Sequence, residues 1–103
     1  MHNKTIKTKA EIIRLLKLHE NEIVQRFQIR RIGLFGSFIR NEQNRKSDID
    51  VLVQFKSAGE TFDNYMNLKF YLEELFSLKV DLVIQDNIKK SLKPYILQEV
   101  VYV

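Results

Sequence analysis

Two aspartates open the most regular strand pattern in the chain. Asp48 and Asp50 stand in the segment SDIDVLVQF, where Val51, Val53 and Phe55 recur at every second position. Residues two apart in a strand share a face, so we expect the two carboxylates side by side. Because like charges this close repel, one carboxyl would stay protonated near neutral pH unless a cation lay between them. Oxygen ligands of this kind suit Mg²⁺.

A third acid stands in the next predicted strand, KVDLVI. Asp81 is the only acidic residue among its apolar neighbours there, and an unpaired buried carboxylate is costly. If this strand lies beside the one carrying Asp48 and Asp50, all three acids reach one site. Three converging acids could hold two metal ions, which clamp the attacking and leaving oxygens of a phosphoryl transfer.

Gly36 and Ser37 end an earlier apolar run and could bind phosphate. Gly36 has no Cβ, so a ligand can approach its backbone closely. A helix that started at Ser37 would direct free N–H groups at a phosphate, and the Ser37 hydroxyl could add a hydrogen bond. Arg40, one turn further on, could also reach phosphate oxygens.

Each of these features has an ordinary structural explanation. Ser-Asp before a strand is common turn chemistry, and Gly-Ser between a strand and a helix is a common cap. The combination of Gly-Ser, Asp-x-Asp in a strand and a third strand-borne Asp is much rarer, and it favours a metal–phosphate site.

Hydrophobic periodicity predicts an α/β layer architecture with a small mixed sheet flanked by helices. The expected helices are 9–27, a short one from Ser37, 62–78 and one in the tail after Ile88, which Pro94 crosses. The expected strands are 31–35, 48–55, 79–84 and 100–103.

Composition limits the possible classes of protein. The 103 residues fit one small domain, residues 1–103, and 45% of them are apolar, enough for a core. There is no cysteine, which excludes disulfides and thiolate metal sites and is consistent with a cytoplasmic protein. No apolar run is long enough for a membrane helix. Residues 1–46 hold 11 Lys/Arg and 4 Asp/Glu, whereas residues 47–103 hold 6 and 9. This asymmetry suits a polyanionic ligand or a partner protein, or is simply a solvated basic helix.

The segment GSFIRNEQNRKSDIDVLVQF resembles the nucleotidyltransferase signature of the DNA polymerase beta superfamily. Within that superfamily the chain is similar to the minimal nucleotidyltransferases, or MNT proteins, over most of its length. The resemblance implies a polymerase beta palm-like nucleotidyltransferase fold.

The resemblance also implies residue roles. Asp48 and Asp50 match the metal-binding pair, and Asp81 matches the third acid, which binds metal and can activate the attacking hydroxyl. The nucleotide-binding positions are Gly36, Ser37, Arg40 and Ser47. The arginine of the signature usually precedes a glycine, which is Asn41 here, a residue that tolerates a left-handed backbone.

The reaction implied by the resemblance is transfer of AMP from ATP to a hydroxyl group. The implied cofactor is Mg²⁺, bound as two ions. MNT proteins typically act as antitoxins of HEPN-domain ribonuclease toxins and can transfer AMP to a tyrosine of the toxin. The resemblance therefore implies a protein adenylyltransferase in a type VII-like toxin–antitoxin pair, with a HEPN-domain partner and no membrane association.

Two other functions stay open. The chain could be an antitoxin that binds its toxin without catalysis, or the catalytic subunit of a small-molecule transferase similar to the aminoglycoside-modifying enzymes. A basic nucleic-acid-binding domain is not expected, because the sequence shows neither aromatic residues at strand spacing nor an obvious recognition helix.

Overall fold

Four strands form one mixed sheet in the computed structural model, which describes residues 7–103. The helices are α1 (Lys9–Leu18), α2 (Glu20–Arg26), α3 (Phe62–Phe76) and α4 (Lys93–Glu99), and the strands are β1 (Ile29–Phe35), β2 (Ile49–Phe55), β3 (Val80–Ile84) and β4 (Val101–Tyr102). Two short 3₁₀ turns, Ser57–Gly59 and Gln85–Asn87, follow β2 and β3. The predicted fold class is confirmed. Residues 1–6 of the predicted domain lie outside the described residues.

The order of the strands across the sheet is β3-β2-β1-β4. β1 runs antiparallel to β2 and β4, whereas β2 and β3 are parallel and are joined by α3. The sequence argument required the third acid to lie in the strand next to the Asp-x-Asp pair, and the parallel pairing of β2 with β3 meets that requirement.

One face of the sheet carries the hydrophobic core. Alternate residues of β2 face the helices, so Ile49, Val51 and Val53 have no exposed surface. The helices complete this core with a set of fully buried side chains: Ile12, Leu16, Ile23, Leu68, Leu72 and Phe76. Because a slip of one residue would turn every side chain of β2 over, this burial fixes which residues face away from the core.

The predicted helix 9–27 is two helices. A capping box between Thr8 and Glu11 starts α1 as the sequence allows, but the helix ends at His19 and α2 begins with Glu20. Leu16 before the break and Ile23 after it are both fully buried, whereas Leu18 is largely exposed. Tertiary packing thus overrode a continuous helical pattern.

The bounds of the predicted strands and of helix 62–78 differ from the observed ones by one or two residues, whereas the tail helix begins only at Lys93. β1 begins at Ile29 rather than Arg31, because Ile29 is buried opposite Phe55 across an irregularity in the pairing. Helix α3 ends at Phe76 because Ser77 adopts a left-handed conformation with φ of 55°. No helix in residues 7–103 is both long and apolar enough to cross a membrane.

The tail forms a helix and a strand that return the chain to the sheet. Pro94 lies in the first turn of α4, where a missing N–H breaks no helical hydrogen bond, so the proline starts the helix instead of interrupting it. β4 then pairs with β1, with Tyr102 opposite Gly33 and Val101 opposite Leu34. This return places α4 near the ends of β1 and β2.

Phe38, in the turn after β1, anchors that turn in the core, since only 2% of its surface is exposed. We predict that Phe38→Ala lowers the free energy of unfolding by about 3 kcal/mol, the usual cost of a cavity of this size. Phe70→Ala is the matched control. Phe70 on α3 is 57% exposed, so its removal should cost less than about 0.5 kcal/mol. Urea unfolding of both variants measures the difference, and equal losses would contradict the anchoring role.

Candidate active site

Asp50 and Asp81 lie side by side on the face of the sheet opposite the core. The parallel register pairs Asp50 with Asp81, between the pairs Ile49–Val80 and Val51–Leu82, which face the helices. Asp50 is half-buried and Asp81 is exposed at the edge strand. Side chains at paired positions on one face of a sheet are neighbours, and the charge of Asp81 acts on Asp50.

Asp48 precedes the first residue of β2 and is exposed. Its charge still acts on Asp50, although more weakly than that of Asp81. Across residues 7–103, no three His, Cys, Asp or Glu side chains lie close enough together to hold a metal ion. The structure therefore brings two of the three predicted acids together, and the metal-binding role of Asp48 stays a prediction.

The surroundings of Asp50 favour its protonated form. Burial raises its pKa to about 6, helped by the charge of Asp81, a hydrogen bond with that carboxyl and the charge of Asp48, while Arg40 opposes the rise. Asp50 therefore keeps its proton to a higher pH than an exposed aspartate, as expected for a partly buried carboxyl beside other carboxylates.

Gly36 lies on the other side of the acid pair, against Asp50. Phe35, the last residue of β1, pairs with Asp50, and Gly36 follows it with φ of 83°. A Cβ at this position would overlap the Asp50 carboxyl group. Glycine is therefore required twice, by its left-handed backbone and by the carboxylate packed against it. The group that approaches Gly36 here is the Asp50 carboxyl, and the predicted approach of a ligand stays a prediction.

The predicted helix from Ser37 is wrong. Residues 37–41 form successive turns, in which Arg40 N–H donates to the Gly36 carbonyl at 3.1 Å and Glu42 N–H to that of Ser37 at 2.9 Å. Asn41 ends the turns with φ of 59°, the left-handed conformation that asparagine tolerates. A helix could not continue through this residue, so the backbone donors here belong to a tight turn and not to a helix N-terminus.

Arg40 and Gly36 both donate to a residue that sequence reasoning did not single out. Glu99, the last residue of α4, accepts from Gly36 N–H at 2.7 Å through Oε2 and from the Arg40 guanidinium at 2.8 Å through Oε1. Arg40 also donates to Glu42 at 2.9 Å. Glu99 lies 63 positions after Gly36, so no local sequence pattern could have identified it.

These contacts keep both partners charged. Hydrogen bonds from Arg40 to Glu42 and Glu99 raise the pKa of Arg40. Burial alone would raise the pKa of Glu99, but the hydrogen bonds from Arg40 and from Gly36 N–H outweigh it, so this pKa lies below its ordinary value. The Glu99 carboxylate therefore accepts hydrogen bonds from Gly36 and Arg40, two residues that the sequence argument assigned to phosphate binding.

Ser47 has a local structural partner. Its hydroxyl oxygen accepts from Asn44 N–H at 2.8 Å, and the Ser47 N–H donates to the Asn44 carbonyl at 3.0 Å. These bonds shape the turn that leads into β2. The predicted nucleotide-binding roles of Ser47 and Ser37 stay predictions.

A cleft of about 290 Å³ joins the acidic and the basic groups. Its lining residues are Phe35, Gly36, Arg40, Asp50, Tyr95, Ile96 and Glu99. Tyr65 of α3 donates its hydroxyl to the Leu82 carbonyl at 2.6 Å, and burial and the Asp81 charge raise the pKa of this tyrosine. The cleft therefore combines carboxylates that can bind a cation or accept a proton with N–H donors that can bind an anion.

Comparison with known proteins agrees with this geometry. Residues 16–103 match the nucleotidyltransferase domain family. The chain is 41% identical over 96 residues to the protein adenylyltransferase MntA of Thermococcus cleftensis. The match covers 93% of this chain and 96% of that protein.

Solved structures show the same fold. A structure of a "putative minimal nucleotidyltransferase" superposes with a TM-score of 0.71 at 31% identity, over 90% of this chain and 89% of that chain. One chain of the tri-AMPylated Shewanella oneidensis HEPN toxin in complex with MNT antitoxin superposes with a TM-score of 0.57 at 21% identity, over 91% of this chain and 66% of that chain. The resemblance noted in the sequence is confirmed: this chain belongs to the nucleotidyltransferase domain family and is a minimal nucleotidyltransferase.

Proposed function

We propose that this chain transfers AMP from ATP to a tyrosine hydroxyl of a HEPN-domain toxin and acts as the antitoxin of that pair. The observation that carries the proposal is the cleft between Asp50 and the Gly36–Arg40 turn, with Asp81 paired beside Asp50, since it places cation-binding groups close to anion-binding groups. The relative from Thermococcus cleftensis, named a protein adenylyltransferase, supports AMP transfer to protein.

The acid pair fits a divalent cation. Burial and the neighbouring carboxylates disfavour the ionised form of Asp50, and a bound cation would reverse that preference. Hard oxygen donors are the ligands that Mg²⁺ prefers. We infer that Asp50 and Asp81 would hold Mg²⁺, with Asp48 at the mouth of the site as a further ligand. When bound, the metal would neutralise charge on the phosphates of the nucleotide.

The groups of the chain itself have separate tasks in the proposed reaction. The acceptor hydroxyl oxygen forms a bond to the α-phosphorus of ATP, the bond from that phosphorus to the bridging oxygen breaks, and pyrophosphate leaves. Asp81, exposed at the edge strand, can accept the hydroxyl proton. Gly36 N–H and Arg40 would hold the phosphate oxygens, because charge-assisted bonds to phosphate are strong and directional.

Two exposed surfaces support a protein acceptor. Phe62 and Phe70 project from α3 with 75% and 57% of their surfaces exposed. On α1, Arg14 and Lys17 line a surface groove of about 660 Å³. Apolar and basic surfaces on a small chain are suited to a partner protein, and the S. oneidensis complex pairs an MNT antitoxin with an AMPylated HEPN toxin.

Non-catalytic binding of a toxin is the second candidate. The exposed apolar and basic residues would support it equally well, because they do not depend on the acid pair. The proximity of Asp50 to Asp81 favours catalysis, since a purely binding role gives no reason to place two repelling carboxyls together.

The pKa of Asp50 predicts a pH-dependent stability. Because the folded protein binds this proton more tightly than the unfolded chain, the stabilisation is complete below pH 3.8 and is lost as pH rises through about 6. We expect Asp50→Asn to gain roughly 1 kcal/mol relative to the unsubstituted protein between pH 4 and 7.5, a value reduced for the partial exposure of the group. Urea unfolding across this pH range, without metal, measures it.

Asp48→Asn is the control for that experiment, since Asp48 is exposed and should show a much smaller gain. Adding Mg²⁺ should stabilise the unsubstituted protein at pH 7.5 but not the Asp50→Asn variant. A stability difference between Asp50→Asn and the unsubstituted protein that stays constant from pH 4 to 7.5 would contradict the assignment of the pKa.

Nucleotidyl transfer should depend on the acid pair. With Mg²⁺, ATP labelled at the α-phosphate and a HEPN-domain partner, we expect label on the partner, and none when the label is on the γ-phosphate. Asp50→Asn and Asp81→Asn should each lower the rate at least about 100-fold. Asp63→Asn, an equivalent change at an exposed position of α3, should leave the rate unchanged. Transfer at the normal rate by both cleft variants would refute the catalytic role.

Partner binding should be separable from chemistry. Asp50→Asn should bind the HEPN-domain partner as tightly as the unsubstituted protein. Charge reversal of Arg14 and Lys17 should weaken binding, and the loss should shrink at high salt. Lys90→Glu, an exposed change of the same size outside α1, is the control. Isothermal titration measures these affinities. If all variants bind the partner with equal affinity, the basic face of α1 is not part of the interface.

A further inference from the structure

Glu99 makes the contacts that a phosphate group would need at the turn after β1. One carboxylate oxygen accepts from Gly36 N–H at 2.7 Å and the other accepts from Arg40 at 2.8 Å. The side chain is partly buried, with 22% of its surface exposed, and its pKa is below the ordinary value, so the group is an anion at neutral pH. The cleft thus already contains an internal anion.

A phosphate oxygen and the Glu99 carboxylate compete for the same donors. The single N–H of Gly36 points at one acceptor, and its position is fixed by the turn and by the Asp50 carboxyl packed against Gly36. Two anions at this position would also repel each other in a partly dehydrated cleft. Binding of phosphate here therefore requires Glu99 to leave.

We propose that Glu99 is an internal competitor of the nucleotide: its carboxylate takes the phosphate position at the Gly36–Arg40 turn and must swing out before a triphosphate can bind. This inference rests on the proposed function, because it takes the Gly36–Arg40 turn as the phosphate position. It assigns to α4 a role in setting nucleotide affinity.

The position of Glu99 allows such a movement. It is the last residue of a seven-residue helix in which no residue is fully buried, and Val100 after it is extended. The side chain can rotate away while β4 stays paired with β1. Arg40 would keep its other contact, to Glu42 at 2.9 Å, so its guanidinium would stay in place for the incoming phosphate.

Glu99→Gln tests the proposal, because it removes the negative charge and keeps the size of the side chain. We expect this variant to bind Mg²⁺–ATP and inorganic triphosphate about tenfold more tightly than the unsubstituted protein, by isothermal titration. In the transfer assay, KM for ATP should fall while kcat stays the same, since the change acts on ground-state binding.

Glu42→Gln is the matched control. It removes an equal charge from the other side of Arg40 without touching Gly36, so a general effect of net charge would appear in both variants. We expect its affinity for triphosphate to change less than about twofold. Thermal unfolding of both variants without ligand verifies that they fold.

The outcomes separate this inference from the proposed function. If the unsubstituted protein binds triphosphate and Glu99→Gln binds it equally or more weakly, Glu99 does not compete and the inference fails alone. An equal gain in Glu42→Gln would also overturn it, because net charge would then explain the effect. If neither ATP nor triphosphate binds to any of the three proteins, the nucleotide site of the proposed function fails, and the inference fails with it.

Discussion

The parallel pairing of β2 with β3 is the constraint on which the cleft depends. It sets Asp50 beside Asp81 on the face away from the core, where burial, followed by the charge of Asp81, raises the pKa of Asp50 to about 6. The opposite face of the same strands supplies the stability for this arrangement, because Ile49, Val51 and Val53 are completely buried. A register slip would expose these side chains, so the core holds the carboxyls together against their repulsion.

The turn after β1 places hydrogen-bond donors next to the acid pair. Gly36 lies against the Asp50 carboxyl, and Phe38 anchors the turn in the core. Polar N–H groups left without acceptors in a partly buried cleft would cost free energy, and Glu99 satisfies them in the described structure. On one side of the cleft Asp50 thus favours its protonated form, and on the other side Arg40 and Glu99 form an ion pair. In our proposal, a metal ion takes the place of the proton and a phosphate takes the place of the Glu99 carboxylate.

This arrangement explains how a chain of 103 residues can carry a nucleotidyltransferase site. Two strands and one turn position the acids and the donors, and the helices on the core face keep them rigid. Among the described residues, α4 contributes Tyr95, Ile96 and Glu99 to the lining of the cleft. In our proposal, the acceptor hydroxyl comes from a partner protein, and the exposed apolar side chains of α3 are part of the surface that receives it.

The sequence by itself determined the strands, their inward and outward faces and the family, because these depend on short-range alternation and on a motif confined to residues 36–55. It also identified Gly36 and Asp81 as candidate site residues. It failed at His19 and Ser37, where tertiary packing and a left-handed Asn41 ended helices that local pattern would continue. Only the tertiary structure revealed Glu99, since a contact across 63 positions arises from the return of α4 and β4 to the sheet. Such a contact depends on the path of the chain in space, which no local spacing encodes.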